Sequence, residues 1–212
     1  MPQNKSQNPA QAELVEPQAT EGQPPSSKAE APSPRTVIAF WQQAGPAKWF
    51  VHDAALDAAI RAQFEVLHHS AARGELAFWG NHWEGSLALL LLLDQFPRNL
   101  FRGSAHSYAT DPLARMIADA AIAAGHDGLA PAELRLFFYL PFEHSEDLAD
   151  QDRCLMLVQA LDAASGSEYA RWAATHRDIV ARFGRFPHRN AALGRISSPE
   201  ELAYLARGGF SG

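Results

Sequence analysis

Apolar positions fall three and four apart over most of the chain after Thr36, and caps and stops punctuate them. Thr36 to Gln43 reads as a short helix carrying Phe40 and Trp41, stopped by Gly45-Pro46. Asp53 is placed to cap the next helix, whose stripe is Leu56, Ile60, Phe64, Leu67 and Ala71 and whose end is Gly74. Glu84 to Gln95 contains the unbroken run Leu87 to Leu93, apolar on every side, which predicts a helix buried at the centre of the core. Asp111-Pro112 predicts a helix start, with Leu113, Met116, Ile117, Ala120 and Ala124 as its stripe and Gly125 as its close. Pro131 to Tyr139 predicts a further helix, ended by Pro141. Ser145 is the expected cap of Glu146 to Ala164, and Gly166-Ser167 separates that helix from Glu168 to Phe183, closed by Gly184. Ser198-Pro199-Glu200-Glu201 has the form of a capping box before a last helix, stopped by Gly208-Gly209.

No stretch shows alternating β-branched residues between hairpin turns. The expectation is an all-α domain over residues 35–212, seven or eight helices joined by short connections as antiparallel pairs, with the leucine helix central. Residues 1–34 differ. They hold seven of the 14 prolines and no aromatic residue, and Leu14 and Val15 are their only large aliphatics. Such a segment buries too little apolar surface to offset chain entropy, so a disordered Pro/Gln-rich tail is expected. The tail has neither the apolar run of a secretory signal nor the acid-poor, Arg-rich character of a transit peptide, which points to a cytoplasmic protein. The longest apolar run, Leu87 to Leu93, is far short of the about 20 residues a membrane span needs.

Composition narrows the chemistry. The chain has 212 residues, 18 basic and 24 acidic, for a net charge of −6, a balance opposite to that of a general nucleic-acid binder. Cys154 is the only cysteine, which excludes a disulfide scaffold and a Cys-rich zinc module. The basic residues are nearly all arginine and are unevenly placed. Between Asp178 and Glu200 there is no carboxylate, yet Arg182, Arg185, Arg189 and Arg195 stand there beside His188. Phe186-Pro187-His188-Arg189-Asn190 echoes Phe96-Pro97-Arg98-Asn99, and Arg102 follows the earlier copy. Each copy is expected to be a turn after a helix end.

If these turns meet, Arg98, Asn99, Arg102, Arg182, Arg185, Arg189 and Asn190 form a binding site for an anionic small molecule or an acidic peptide's carboxylate. The planar guanidinium suits such groups because its fork binds them bidentately. The same arginines can instead pair with Asp94, Glu143 or Glu146 as a structural network. The competing enzyme reading is a hydrolase or lyase. His144 or His188 would be the acid–base group, Glu146 would orient it, and the arginines would stabilise negative charge. His144, His176 and His188 lack the spacing of a metal motif, so no metal site is assigned, and the sequence leaves any cofactor unknown. Ser86 lacks a nucleophile-elbow motif, and Cys154 reads as a buried thiol.

Several blocks occur in one order: Phe40-Trp41, Lys48-Trp49-Phe50, Gly74-Glu75-Leu76, Leu92 to Asn99, Phe137 to Glu146 and Arg182 to Asn190. That order resembles the bacterial family catalogued as domain of unknown function 924, over roughly residues 36–210. The blocks LLDQFPRN, FFYLPFEHSE and RFGRFPHRN carry most of the specificity. The resemblance implies an all-helical, tetratricopeptide-like superhelical fold, although no regular 34-residue tetratricopeptide consensus is present. It implies no established activity, so it supplies no catalytic residue. Ala130 stands where a Ser or Thr cap is expected, and the tail looks like an addition outside the family's domain.

Overall fold

Ser33 opens the helical region in the computed structural model, which describes residues 1–2 and 32–211. The expected tail therefore lies almost wholly outside the described residues. Every regular element among the described residues is helical. The Ser33 side chain accepts the Thr36 N–H, and Pro34 occupies the first turn of α1 (Pro34–Ala44). Gly45, with φ of 78°, ends α1 and begins α2 (Pro46–Trp49), because that backbone region is costly for residues with a Cβ. The Trp49 indole N–H donates to the Trp41 carbonyl at 2.8 Å, which closes the corner. Asp53 caps α3 (Ala54–Ala72) as expected, accepting from the Ala55 and Leu56 amides at 2.9 and 3.0 Å. The predicted stripe Leu56, Ile60, Phe64, Leu67 and Ala71 is buried.

The leucine segment is central, as predicted, but it does not stop at Gln95. Helix α4 (Trp83–Leu90) continues through a π-helical turn, Leu91–Gln95, into α5 (Phe96–Leu100). Pro97 thus lies inside a helical rod. A proline here deprives a carbonyl one turn back of its donor. The wider turn accommodates this, with the Phe96 N–H reaching the Leu91 carbonyl five residues back. The carbonyls of Leu92 and Leu93 find other partners. His68 Nδ1 lies 2.8 Å from the first, and the Thr110 hydroxyl donates to the second. Gly85 lets α4 cross the 3-10 turn Ala77–Asn81, since a Cβ there would run into the Trp79 carbonyl.

Helix α6 (Asp111–Ala123) starts one residue earlier than predicted, with Thr110 at the cap and Asp111 in the first turn. Its buried face is Ala114, Ala118 and Ala121, while Met116 and Ala120 of the expected stripe are exposed. Small side chains on the buried face suit a helix that is in contact with the leucine-rich α4. The predicted helix Pro131 to Tyr139 is broken into shorter pieces. After α7 (His126–Leu129) come α8 (Ala132–Arg135), a 3-10 turn Leu136–Phe138, and α9 (Leu140–Glu143). Pro141 begins α9 instead of ending a helix, because its missing N–H costs nothing in a first turn.

Asp147, not Ser145, caps α10 (Leu148–Ser165); Ser145 Oγ accepts the Asp147 N–H. The Asp162 carboxylate, near the end of α10, accepts the Tyr169 and Ala170 amides and so starts α11 (Ala170–Phe183). Gly184 ends α11 as predicted, with φ of 67°. A 3-10 turn, Pro187–Arg189, and α12 (Pro199–Ala206) follow; α12 carries the expected Ser198–Glu201 capping box. A small apolar cluster of Ile179, Val180 and Phe186 joins this end together. No helix among the described residues is long and apolar enough to cross a membrane.

Candidate functional site

The two echoed segments are built differently, one a helix and the other a 3-10 turn, yet they share a partner. Arg98 on α5 donates Nη1 and Nη2 to the two carboxylate oxygens of Asp111, both at 3.1 Å. Arg189, at the end of the Pro187–Arg189 turn, places Nη1 3.6 Å from Asp111 Oδ2. Arg98 is further held by Asp94, 3.3 Å from Oδ1, and by the Asp94 carbonyl. Asp111 thus bridges two arginines 91 positions apart. The sequence reading gave it a capping role, and it sits instead one residue inside the helix with its carboxylate on the guanidinium groups.

Asp94 is the second anchor. It comes from the π-helical turn and is only 1% exposed. His144 Nδ1 lies 2.8 and 3.0 Å from its two oxygens, and the Gln95 amide also donates to it. Burial works against its ionisation, but the charge of Arg98 and the hydrogen bonds from His144 and Gln95 outweigh this and hold the carboxyl at about 2. His144 is pushed down from the ordinary imidazole value by burial and by Arg98, against the pull of Asp94. A neutral His144 with Nδ1 facing a carboxylate carries its proton there, which leaves the Nε2 lone pair open. The Arg98 side chain is 20% exposed and that of His144 14%, so this corner reaches solvent through them.

Arg189 is in a different position. Its residue is 6% exposed, and Nε is buried with no hydrogen-bond partner among the described residues. The guanidinium carbon lies 4.6 Å from the Tyr108 ring centre and 4.5 Å from that of Phe186. Burial, with the nearby Arg98 charge, depresses even this guanidinium, to about 10. Its neighbour His188 also has a buried Nδ1 without a partner among the described residues, and burial followed by Arg189 brings it down to about 3.

Behind them Glu143 of α9 is buried near His176, whose Nδ1 lies 3.3 Å away, and near Cys154 Sγ at 3.9 Å. Burial and the Asp94 charge push Glu143 up to about 8, while burial brings His176 down to about 4. The Cys154 thiol is raised by burial as well, so it stays protonated.

The remaining candidates lie on other partners. Glu146 does not touch His144. It takes both Nη atoms of Arg195, at 2.7 and 2.9 Å, and accepts the Phe186 amide at 2.8 Å. The group that contacts His144 is Asp94. Asn99 and Arg102 both go to Asp57 on α3, Asn99 at 2.7 Å. Arg182 pairs with Glu200, Arg185 with Glu201, and Asn190 Nδ2 donates to Ser197 and Glu201. The expected arginine cluster is therefore divided among Asp57, Asp111 and the Glu200–Glu201 pair, and of its arginines only Arg98 and Arg189 meet on a single carboxylate. Open grooves of about 220 and 330 Å³ run along α11 and α12, lined by Arg182, Phe183 and either Tyr204 or Glu200, rather than beside Asp94. Among the described residues no group of three His, Cys, Asp or Glu side chains is arranged to hold a metal.

Asp94 lies within the LLDQFPRN block, but nothing in that block marks it as the partner of His144, and Tyr108 carries no motif signal.

An all-helical chain with this charged corner belongs to a class already described by sequence. Residues 37–209 match the family of bacterial proteins of unknown function called DUF924, and the chain belongs to that family. It is also similar to a protein of unknown function from Agrobacterium tumefaciens whose structure is solved. The two are 55% identical with a TM-score of 0.79, over 82% of this chain and 97% of that one. No curated protein matches.

Proposed function

We propose that the protein binds a small anionic molecule at the corner formed by Arg98, Arg189, Tyr108 and His188. One observation carries the reading: Arg189 is a nearly buried guanidinium whose Nε has no partner and whose ion pair with Asp111 is long, at 3.6 Å. Burying a cation without full hydrogen bonding is costly, and such groups are ordinarily satisfied. An anion on the free edge of Arg189 would supply the missing acceptor. Arg98, engaged by Asp111 and Asp94, would shape the corner without binding the anion itself, and Arg182 and Arg185, on Glu200 and Glu201, would take no part.

The test is a thermal-shift series with inorganic phosphate, sulfate, acetate, propionate and citrate. A ligand at about 100 times its dissociation constant stabilises by about 2.7 kcal/mol. That is roughly 5–10 °C for a domain this long. The shift is expected in the wild type and absent in Arg189→Ala. No shift from any of these anions would end the reading.

A second reading rests on the Asp94–His144 pair. An oriented neutral imidazole with a free Nε2 beside a guanidinium is also the arrangement of a general base next to an anion stabiliser. In that case the anion is a substrate, hydrolysed or cleaved by elimination, with Asp94 in the orienting role first assigned to Glu146. A panel of carboxylate-bearing esters tests it. Turnover should fall by about 10²–10⁴ in His144→Gln. Turnover that persists in this variant, or its absence across the panel in the wild type, counts against an enzyme.

A further inference from the structure

We propose that the ligand at Arg189 is a single planar carboxylate on a small molecule, and that tetrahedral dianions such as phosphate and sulfate are excluded. This rests on the anion-site reading and narrows it to one chemical class.

The first argument is the count of charges around the corner. Two guanidinium groups, Arg98 and Arg189, face two buried carboxylates, Asp94 and Asp111. Glu143 is buried beside them, and Glu146 is already matched by Arg195. The three histidines here, His144, His176 and His188, are all shifted toward their neutral forms. At neutral pH the set is therefore neutral, or negative if Glu143 ionises. A site for a phosphate dianion needs surplus positive charge, ordinarily several cations or a helix N-terminus. Here a dianion would leave at least one buried negative charge more than a monoanion does, at large desolvation cost.

The second argument is shape. Arg98 already spends both Nη atoms on Asp111, so Arg189 alone has an edge to offer. One guanidinium fork matches one carboxylate with two parallel hydrogen bonds in its own plane. The rings of Tyr108 and Phe186 crowd the guanidinium carbon of Arg189, so room beside it is limited. A flat carboxylate needs less of that room than a tetrahedral group. His188, the adjacent residue, has a buried Nδ1 that also lacks a partner among the described residues.

A carboxylate of this kind comes from a free small acid or from the C-terminus of a peptide. Isothermal titration at pH 7 and matched ionic strength decides between the classes and the sources. The probes are propionate, inorganic phosphate, sulfate, a tetrapeptide with a free C-terminus and the same tetrapeptide amidated. Propionate is expected to bind one to one, with phosphate and sulfate at least tenfold weaker. Arg189→Lys, which keeps the charge and loses the fork, is expected to bind propionate at least tenfold more weakly, its fold verified by circular dichroism. A free peptide tighter than propionate, with the amide inactive, assigns the carboxylate to a chain end; a peptide no tighter assigns it to a small acid. Phosphate or sulfate binding as tightly as propionate, and weakened by Arg189→Lys, overturns the carboxylate class while the anion site stands. Binding by none of the probes overturns both, and so does propionate binding that Arg189→Lys leaves unchanged.

Discussion

Arg98 and Arg189 end on the same carboxylate, Asp111, yet their environments set opposite energetic roles. Arg98 is matched on all sides: Asp111 takes two of its donors, and Asp94 adds a charge and a carbonyl. Removing it strands two buried carboxylates, so Arg98→Met is expected to cost about 3–5 kcal/mol. Arg189 has an orphaned Nε and one long ion pair, and Asp111 keeps its bidentate partner without it. Replacing an underpaired buried cation by an apolar chain of similar length is often neutral or stabilising, so Arg189→Met is expected within about 1 kcal/mol of wild type, or above it. Urea unfolding of the two variants, without added anion, measures the contrast. Equal losses would mean that Arg189 is as structural as Arg98, and the anion reading would lose its base. Asp57 is the counter-example, since Asn99 and Arg102 both converge on it from another segment and leave no comparable free edge at that carboxylate.

The rod from Trp83 to Leu100 positions this chemistry, and its irregular turn is what puts the Asp94 carboxylate toward His144 and Arg98. The turn depends on outside groups that satisfy its carbonyls. Thr110→Val keeps the shape of the side chain and removes the donor to the Leu93 carbonyl, which is buried. A loss of about 1–3 kcal/mol is expected in urea unfolding, the cost of an unmet buried acceptor. A change under about 0.5 kcal/mol would show that the turn holds without Thr110. Much of the helical order is legible in the chain. Asp53, Gly45, Gly184 and the Ser198 box act on their own neighbours, so local chemistry is enough to place them. The leucine run is legible for the same reason, because a helix apolar all round has nowhere to go but the core. The π-helical turn is not. Leu91 to Gln95 reads as ordinary helix, and the donors that permit Pro97 come from His68 and Thr110, remote in sequence. Asp111-Pro112 has the composition of a cap, and only the tertiary partner Arg98 shows why its carboxylate faces inward. In α6 the alanines recur on several faces, so the pattern cannot choose the buried one. The split of the arginines among Asp57, Asp111 and Glu200–Glu201 is likewise a matter of long-range pairing that no local spacing encodes.

The molecule as a whole is acidic, with net charge −6, but its interior holds histidines and one glutamate in their neutral forms, and these govern how stability depends on pH. His176 is lowered from 6.5 to about 4 and His188 to about 3, both mainly by burial, and His68 and His144 are lowered too. As pH falls below 6.5 the unfolded chain takes up protons that the folded chain refuses, so stability is lost on that side. Glu143 acts in the other direction. Burial and Asp94 raise it from 4.5 to about 8, so over that interval the folded state holds a proton that the unfolded state has released. Stability therefore falls as pH rises from 4.5 to about 8, by up to about 1.4 kcal/mol per pH unit. Between pH 4.5 and 6.5 the four imidazoles outnumber the single carboxyl, and above about 7 the carboxyl acts nearly alone. The two slopes cross near neutrality, and maximum stability is expected at about pH 6.5–7. Glu143→Gln keeps the size of the side chain and removes the titrating proton. Unfolding free energies measured by urea from pH 5 to 9 should show the wild type losing about 1–2 kcal/mol between pH 7 and 8.5, and the variant staying level over the same range. A wild-type curve that keeps rising through pH 8 would mean that Glu143 is ionised in the fold. The corner around Asp94 would then carry one more negative charge, which makes a dianion at Arg189 less acceptable still.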